Sequence, residues 1–346
     1  MRSTPLIQRL FPGTASETRT GSASALQRLI SRPEFGPFVL LVIEIVVFTL
    51  LSPAFLSPGN ISNSLTFTSE LGMIALAMTL LMTSGEFDLS VGSVFGFAPI
   101  VMWTLYNTGT TSLEVGFVVA LLISLVIGYA NGIFVTRLKI PSFLVTLGML
   151  LVVRGTALYI TSGFPQRTWR AESPLIDVIV GDFNIGSYRI YMSLLWFILF
   201  AVIFGYILTR SKAGNWIQAS GGNPSAALAR GVRVMRTKMA LFMLSSLMAA
   251  YAGITSSIRV SAANPNSGDG YELEVIAMVV IGGTALSGGR GTIIGTVLGV
   301  LILRMMRNGI VLIGVPGLAY NIFIGAIILG MMALHSWLER RHHVGV

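Results

Sequence analysis

Residues 65–106 read LTFTSELGMIALAMTLLMTSGEFDLSVGSVFGFAPIVMWTLY. Two apolar runs, 65–82 and 89–106, flank the polar break Thr83-Ser84-Gly85-Glu86-Phe87-Asp88. A helix that crosses a bilayer takes about 20 residues, so each run is close to the length of one crossing. Further apolar segments lie on either side, at 37–53, 115–135, 143–161, 191–208, 239–258, 273–286, 292–306 and 318–338. The count predicts an all-α polytopic membrane protein of about ten transmembrane helices, some short or interrupted, with both ends on one side. Composition points the same way. Of 346 residues, 53% are apolar and only 11% charged, with a mean hydropathy of +0.79, whereas a soluble domain carries roughly 25% charged residues. An ordinary cytosolic enzyme and a disordered chain are both excluded. The chain has no cysteine, which excludes disulfides and thiolate metal sites.

Charge position sets the orientation. Membrane proteins concentrate Lys and Arg on the cytoplasmic side. With the N-terminus inside, the inside segments hold 16 of the 23 basic residues and the outside segments four: Arg167, Arg170, Arg189 and Arg259. The remaining three, Arg154, Arg304 and Arg307, fall in or at the ends of spans. The expected organisation is a polar cytoplasmic tail over 1–36, one transmembrane domain over 37–338 with a cytoplasmic loop at 209–238, and a cytoplasmic tail over 339–346. The net charge of +9 therefore marks topology, and no nucleic-acid partner is expected. The two spans around 65–106 and 273–306 are interrupted by Gly-rich turns, and either turn can sit within the membrane. Weak matches link them. Ile74-Ala75-Leu76 and Ile276-Ala277-Met278 precede the turns, and Asn131-Gly132-Ile133 and Asn308-Gly309-Ile310 follow them. Duplicated halves with interrupted spans are common in transporters.

Enzyme chemistry has no evident seat. The three lysines are followed by Ile140, Ala213 and Met239, and none follows a glycine, so the chain has no phosphate-binding Gly-Lys-Ser/Thr loop. Metal-binding and nucleophile motifs are also missing. No catalytic residue, metal or cofactor is expected. In the first break, Glu86 and Asp88 stand between apolar spans, where an unpaired charge is costly. Two readings stay open. Asp88 lines a pathway in a discontinuous helix, with Arg290 of the later turn as a partner, or Asp88 caps the next helix in a tight turn. Glu44 and Glu70 are either interface residues or polar contacts within the bundle. Gly291, Gly295 and Gly299 form a small-residue face that lets two helices approach closely. In the loop 209–238, Asn223 is a good N-cap, Pro224 suits the first helical turn and Gly231 suits the stop. A short Ala-rich helix follows from these, and a docking element is the sharper reading of it. An ordinary positive-inside loop is the plainer one.

Three blocks resemble the membrane permease subunits of bacterial ABC importers for ribose, xylose, arabinose, galactose and related sugars, including the autoinducer importers. The block Ser84 to Ser93 resembles the family's T-G-G-I-D-L-S-V-G-S, and Gly221 to Val232 its G-G-N-x-x-A-A-x-x-x-G-I loop. The third runs from Gly270-Tyr271-Glu272-Leu273 through Ile281-Gly282-Gly283-Thr284-Ala285-Leu286-Ser287-Gly288-Gly289-Arg290-Gly291-Thr292. The likeness covers roughly 40–335. It implies a permease in a bacterial inner membrane that passes a sugar or sugar-like polyol inward. Its implied partners are ATP-binding cassette ATPase subunits, a periplasmic solute-binding protein, a second permease copy or paralogue, and lipid. It implies that Asn223, Pro224, Ala226, Ala227, Arg230 and Gly231 form the element that couples to the ATPase. Asp88, Ser90, Asn131, Ser287 and Arg290 are the candidates for the translocation path or the interrupted-helix turns. Glu86-Phe87 departs from the family's Gly-Ile and points to an unusual sugar or a polyol. The alternative from another class is a stand-alone secondary carrier or channel for a small neutral solute.

Overall fold

The computed structural model describes residues 34–167 and 172–320, with a few further positions up to 330. The expected tail 1–36, save its last three residues, and the tail 339–346 lie outside the described residues. The long helices are α1 (Phe35–Leu51), α2 (Pro58–Thr83), α3 (Val91–Asn107), α4 (Leu113–Thr136) and α5 (Ser142–Thr161). After a short helix α6 (Pro174–Val180) come α7 (Met192–Arg210), α8 (Lys212–Gly222), α9 (Pro224–Ala229) and α10 (Val234–Arg259). The last two are α11 (Tyr271–Ile281) and α12 (Ile293–Leu312).

The first nine expected apolar segments each fall on one helix. Six helices, α2, α4, α5, α7, α10 and α12, are long and apolar enough to cross a membrane, while α1 and α3 are shorter apolar helices. The tenth segment, 318–338, lies largely outside the described residues. Those of its positions that are described from 322 onward are helical.

Helices α2 and α10 begin five or more residues before their apolar segments. Pro58 starts α2 seven residues before the apolar run, because its fixed φ suits the first helical turn. The polar turns this adds are engaged: Asn308 donates to Asn60 at 2.8 Å and to Ser64, and the Arg189 amide donates to Ser62 at 3.1 Å. Helix α10 likewise begins at Val234 and takes Arg236 and Lys238 into its first turns.

Helix α2 is the centre of the bundle. From Thr68 to Thr83 every residue is buried, as expected of a helix that is apolar all round. By contrast α4, α5 and α7 turn Val126, Val152 and Val202 outward, each more than 60% exposed. Soluble proteins do not leave apolar faces of this extent open, so the outer face belongs to lipid and the chain is an all-α polytopic membrane protein. The Gly291, Gly295, Gly299 face is a packing face, as expected. A Cβ at Gly299 would stand 3.0 Å from the Gly282 amide, and one at Gly295 would overlap the Gly282 carbonyl, so α12 meets the end of α11 backbone to backbone.

The polar stretch from 162, between the fifth and sixth apolar segments, carries α6 and an antiparallel hairpin, β2 (Asp182–Ile185) with β3 (Tyr188–Tyr191). Ser173 caps α6 by accepting from the Leu175 amide at 3.1 Å. Arg189 grips Asp182 through two 2.7 Å bonds, which hold that carboxyl below its usual range. A second pair of short strands, β1 (Gln166–Arg167) and β4 (Ala262–Ala263), ties the start of this stretch to the end of α10.

Charged residues inside the bundle are mostly paired. Glu70 accepts two bonds from Arg259, at 2.5 and 3.1 Å, and the guanidinium also lies 4.3 Å from the Phe67 ring. Glu70 is thus a contact within the bundle. Arg304 meets Glu274 at 3.2 Å, and Tyr320 donates to the same carboxylate at 2.8 Å. Glu44, Asp88 and Glu272 are exceptions: among the described residues both carboxyl oxygens of Glu44, and one each of Asp88 and Glu272, are buried with no hydrogen-bond partner.

Candidate functional site

The two interrupted turns differ. Helix α2 ends at Thr83 and α3 begins at Val91. The seven residues between them pack inside the bundle, with Ser84, Asp88 and Ser90 fully buried. The turn between α11 and α12 lies at the surface instead, with Gly283, Leu286, Ser287 and Arg290 exposed.

Within the first break, Asp88 Oδ1 accepts from the Ser90 amide at 2.9 Å and from Ser90 Oγ at 2.5 Å. Asn131 of α4 donates to the same Ser90 hydroxyl at 3.0 Å, and Ser245 of α10 faces the Asp88 carboxyl. Ser90 itself occupies the N-cap of α3. Asp88 therefore does not cap the helix through the amides of its first turn, as the capping reading expected; it holds the N-cap residue. Nor does Arg290 reach it. Asp88 Oδ2, Asn131 Oδ1 and Ser245 Oγ are left buried without a hydrogen-bond partner among the described residues. Such atoms cost about 1–3 kcal/mol each.

The loop at 209–238 folds as the short-range rules predict. The Asn223 side chain accepts from the Ala226 amide at 3.0 Å, Pro224 stands in the first turn, and Gly231 takes φ +79° after Arg230 at the C-cap. Ala226, Leu228, Ala229 and Arg230 are exposed, Leu228 by 55%. Ala227 is buried against the chain, so the exposed face belongs to Ala226 and Leu228.

Between this helix and the two breaks lies a junction that the sequence did not reveal. The Gly289 amide donates to the Thr83 carbonyl at 2.8 Å. A Cβ at Gly288 would stand 2.8 Å from Gly85 Cα, one at Gly289 2.9 Å from Gly222 Cα, and one at Gly221 2.6 Å from the Gly289 amide. The end of α2, the end of α8 and the α11–α12 turn thus meet through backbone alone. Close approach of this kind needs glycine because any side chain would fill the gap. The three blocks that carry the family resemblance are the three that converge here.

The candidates divide accordingly. Asp88, Ser90 and Asn131 come together, with Ser245 as a member the sequence reading missed. Asn223 to Gly231 form one outward helix next to them, while Ser287 and Arg290 stay at the surface, apart from the Asp88 cluster. Glu86 is not a free charge near a path, because Lys238 holds it at 2.5 Å. Its departure from the family pattern has a structural partner, which removes the basis for reading an unusual solute from it.

These features define a membrane transport subunit: an outer lipid face, a buried interrupted helix and a capped loop helix tied to it. Comparison with known proteins makes this specific. The family model for the permease component of the branched-chain amino acid transport system matches residues 60–332, and the chain belongs to that family. A probable ABC transporter permease of Escherichia coli K12, YphD, is 35% identical over 93% of this chain and 95% of its own length. The ribose import permease RbsC of the same strain is 34% identical over 86% and 91%. The L-arabinose ABC transporter permease AraH of Azospirillum brasilense is 36% identical over 84% of each chain. No solved structure matches at a significant level. The chain is therefore an ABC importer permease, a multi-pass inner-membrane protein and a transport subunit, with ATP hydrolysis on a separate chain. Membership implies an ATPase and a periplasmic binding protein as partners.

Proposed function

We propose that this chain forms, with a second permease copy or paralogue, the inward path of an importer for a sugar or sugar-like polyol, and that α9 is where the ATPase docks. About ten crossings place both termini in the cytoplasm, as the positive-inside count favours. The single transmembrane domain then spans 37–338 between cytoplasmic tails 1–36 and 339–346. One observation carries the docking reading. Six residues, Pro224–Ala229, form a fully capped helix whose exposed face, Ala226 and Leu228, points away from the rest of the chain. A helix this short is not stable in water on its own account, and its outward apolar face buries nothing within the chain.

Asn223, Pro224 and Gly231 shape the helix, Ala226 and Leu228 contact the partner, and Arg230 flanks the contact. Ala227 fixes the helix to the chain. Asp88, Ser90 and Asn131 stand at the first break beside the path, while Ser287 and Arg290 face the cytoplasm from the second turn. The relatives named for a cargo import ribose or arabinose. Among the described residues the ion pairs match Glu70, Glu86 and Glu274 with basic partners, leaving Glu272 as a single unpaired acidic charge along α2, α10, α11 and α12 and not a row, which suits a neutral solute. A stand-alone carrier leaves α9 without a role.

The test is co-purification of the ATPase in detergent. Ala226→Glu places a charge in the contact, where burial without a partner is costly, and should release the ATPase while Ala226→Ser keeps it. Retention of the ATPase by Ala226→Glu, with hydrolysis still stimulated by the loaded binding protein, would remove α9 from the docking site.

A further inference from the structure

We propose that Glu86 and Lys238 are positioning residues for ATP-driven transport. Their ion pair fastens the first helix break to the helix that leaves the cytoplasmic loop, so that a displacement of α9 reaches the break. The inference rests on α9 being the seat of the ATPase.

The geometry begins with the break. Residues 84–90 link two helices and form no helix of their own, and from within they are braced only by the amide bonds of residues 84–86 to the end of α2 and by the Asp88–Ser90 pair. The segment is held from outside at successive positions. Gly85 touches Gly221 and Gly288 through backbone, Glu86 meets Lys238 at 2.5 Å, the Phe87 amide donates to Ser142 Oγ at 3.3 Å, and Asn131 donates to Ser90 Oγ at 3.0 Å. Of these, only the glycine contacts and the ion pair lead to the segment that carries α9. The glycine contacts transmit compression, because backbone meets backbone, but they have no side chain to resist sliding or separation. The ion pair supplies what they lack. Its two charges are each only 14% exposed, so separating them strands both in a poorly solvated place, and the pair resists being pulled apart.

The pair also closes a ring. Helix α9 joins the junction through Gly221-Gly222 at its start, and it joins α10 through Gly231 and Arg233 at its end. Lys238 lies in the second turn of α10, and Glu86 follows Gly85 of the junction. A load applied to α9 therefore reaches residues 85 and 86 by two routes, one from each end of the helix. The other turn, at Gly288-Gly289, is part of the same junction and moves with it.

The experiment uses the full permease with its ATPase, and the chain's lack of cysteine gives a clean background. Phe87→Cys places one thiol in the break, and its rate of labelling by a membrane-permeant maleimide is measured with and without vanadate-trapped ATP. Trapping should change that rate. Adding Glu86→Gln or Lys238→Gln should reduce the change by about 2- to 30-fold, the range over which mutations along a coupled network alter coupling, with the ATPase still co-purifying. The charge swap Glu86→Lys with Lys238→Glu should restore the response, which a merely structural loss would not allow.

A thiol that responds equally in the neutral variants, a swap that fails to restore the response, or a wild-type break that does not respond to trapping each overturns the proposal. Failure of the ATPase to bind the otherwise native chain would sink the docking reading instead, and it is seen before any labelling is done.

Discussion

Glu274→Gln tests whether the polar groups inside the bundle are dry. Glu274 and Arg304 have side chains 8% and 5% exposed and meet at 3.2 Å. The substitution keeps shape and length but removes the negative charge. Arg304 then retains the Phe67 carbonyl, to which it donates at 3.3 and 3.4 Å. Those bonds are long and neutral, so most of the cation's compensation is gone. Breaking a buried pair by removing one partner costs about 3–5 kcal/mol, whereas a solvated pair is worth about 0–1 kcal/mol. The magnitude therefore decides between a dry and a wet environment. The reverse substitution should cost less. In Arg304→Met, Glu274 keeps the Tyr320 hydroxyl at 2.8 Å, and Arg307 waits 3.9 Å away. The double variant Glu274→Leu with Arg304→Met removes both charges and should recover much of the loss, since well-packed apolar replacements of buried pairs are often neutral. The assay is equilibrium unfolding in detergent of Glu274→Gln and, as a closed cycle, of Glu274→Leu, Arg304→Met and their double variant, with the coupling energy taken from that cycle. A Glu274→Gln cost within about 1 kcal/mol, or a double variant equal to the sum of the singles, would refute the dry-pair reasoning.

Three other outcomes follow from the fold. Gly295→Leu should force α11 and α12 apart and lower stability by at least the ~1–3 kcal/mol typical of overpacking, while Ile294→Ala, at a position 68% exposed, should be nearly silent in the same unfolding assay; equal effects would place the face toward lipid. For topology, single cysteines at Ser187 in the hairpin turn and Ser225 on α9 should label with an impermeant thiol reagent on intact cells only at Ser187, and labelling only at Ser225 would invert the orientation. Both positions are exposed and carry no cap, unlike Ser173 and Ser211, whose hydroxyls accept from helix amides. Ala227→Glu should damage folding as well as ATPase binding, since Ala227 faces the chain; insertion and melting indistinguishable from wild type would show that this face is open.

The helical framework was legible because bilayer crossing imposes a length and a composition on each segment, and these are local properties. The cap at Asn223 and the stop at Gly231 were legible for the same reason: the bonds they make lie within a few residues. What failed to show were partners far apart in sequence. Glu70 could not be assigned, because its partner Arg259 is 189 residues away. Arg304 was recognised only as a basic residue in or near a span, although with Glu274 and Tyr320 it ties α12 to α11 and to the chain beyond α12. The hairpin at 182–191 was missed because each of its strands has only four residues, the shortest run over which apolar alternation can be read.

The Glu86–Asp88 break shows why local rules give out at a site. Read locally, Asp88 two residues before Ser90 and three before Val91 is a capping pattern, and Arg290 in the matching turn is the available countercharge. The capping reading treats the segment as a turn between solvent and helix, and the pathway reading looks for its partner only in the matching turn. The bundle closes over this segment, so each polar atom must find a partner in another helix or go without. Asn131 and Ser245 are brought in from α4 and α10, and Lys238 takes Glu86. Arg290 stays outside because the second turn meets the first through Gly288 and Gly289, and a backbone contact that tight leaves no room for a side chain to cross. The glycines that make the junction possible are thus the reason the expected ion pair does not form, and the charge at Glu86 is answered by Lys238 of α10 instead.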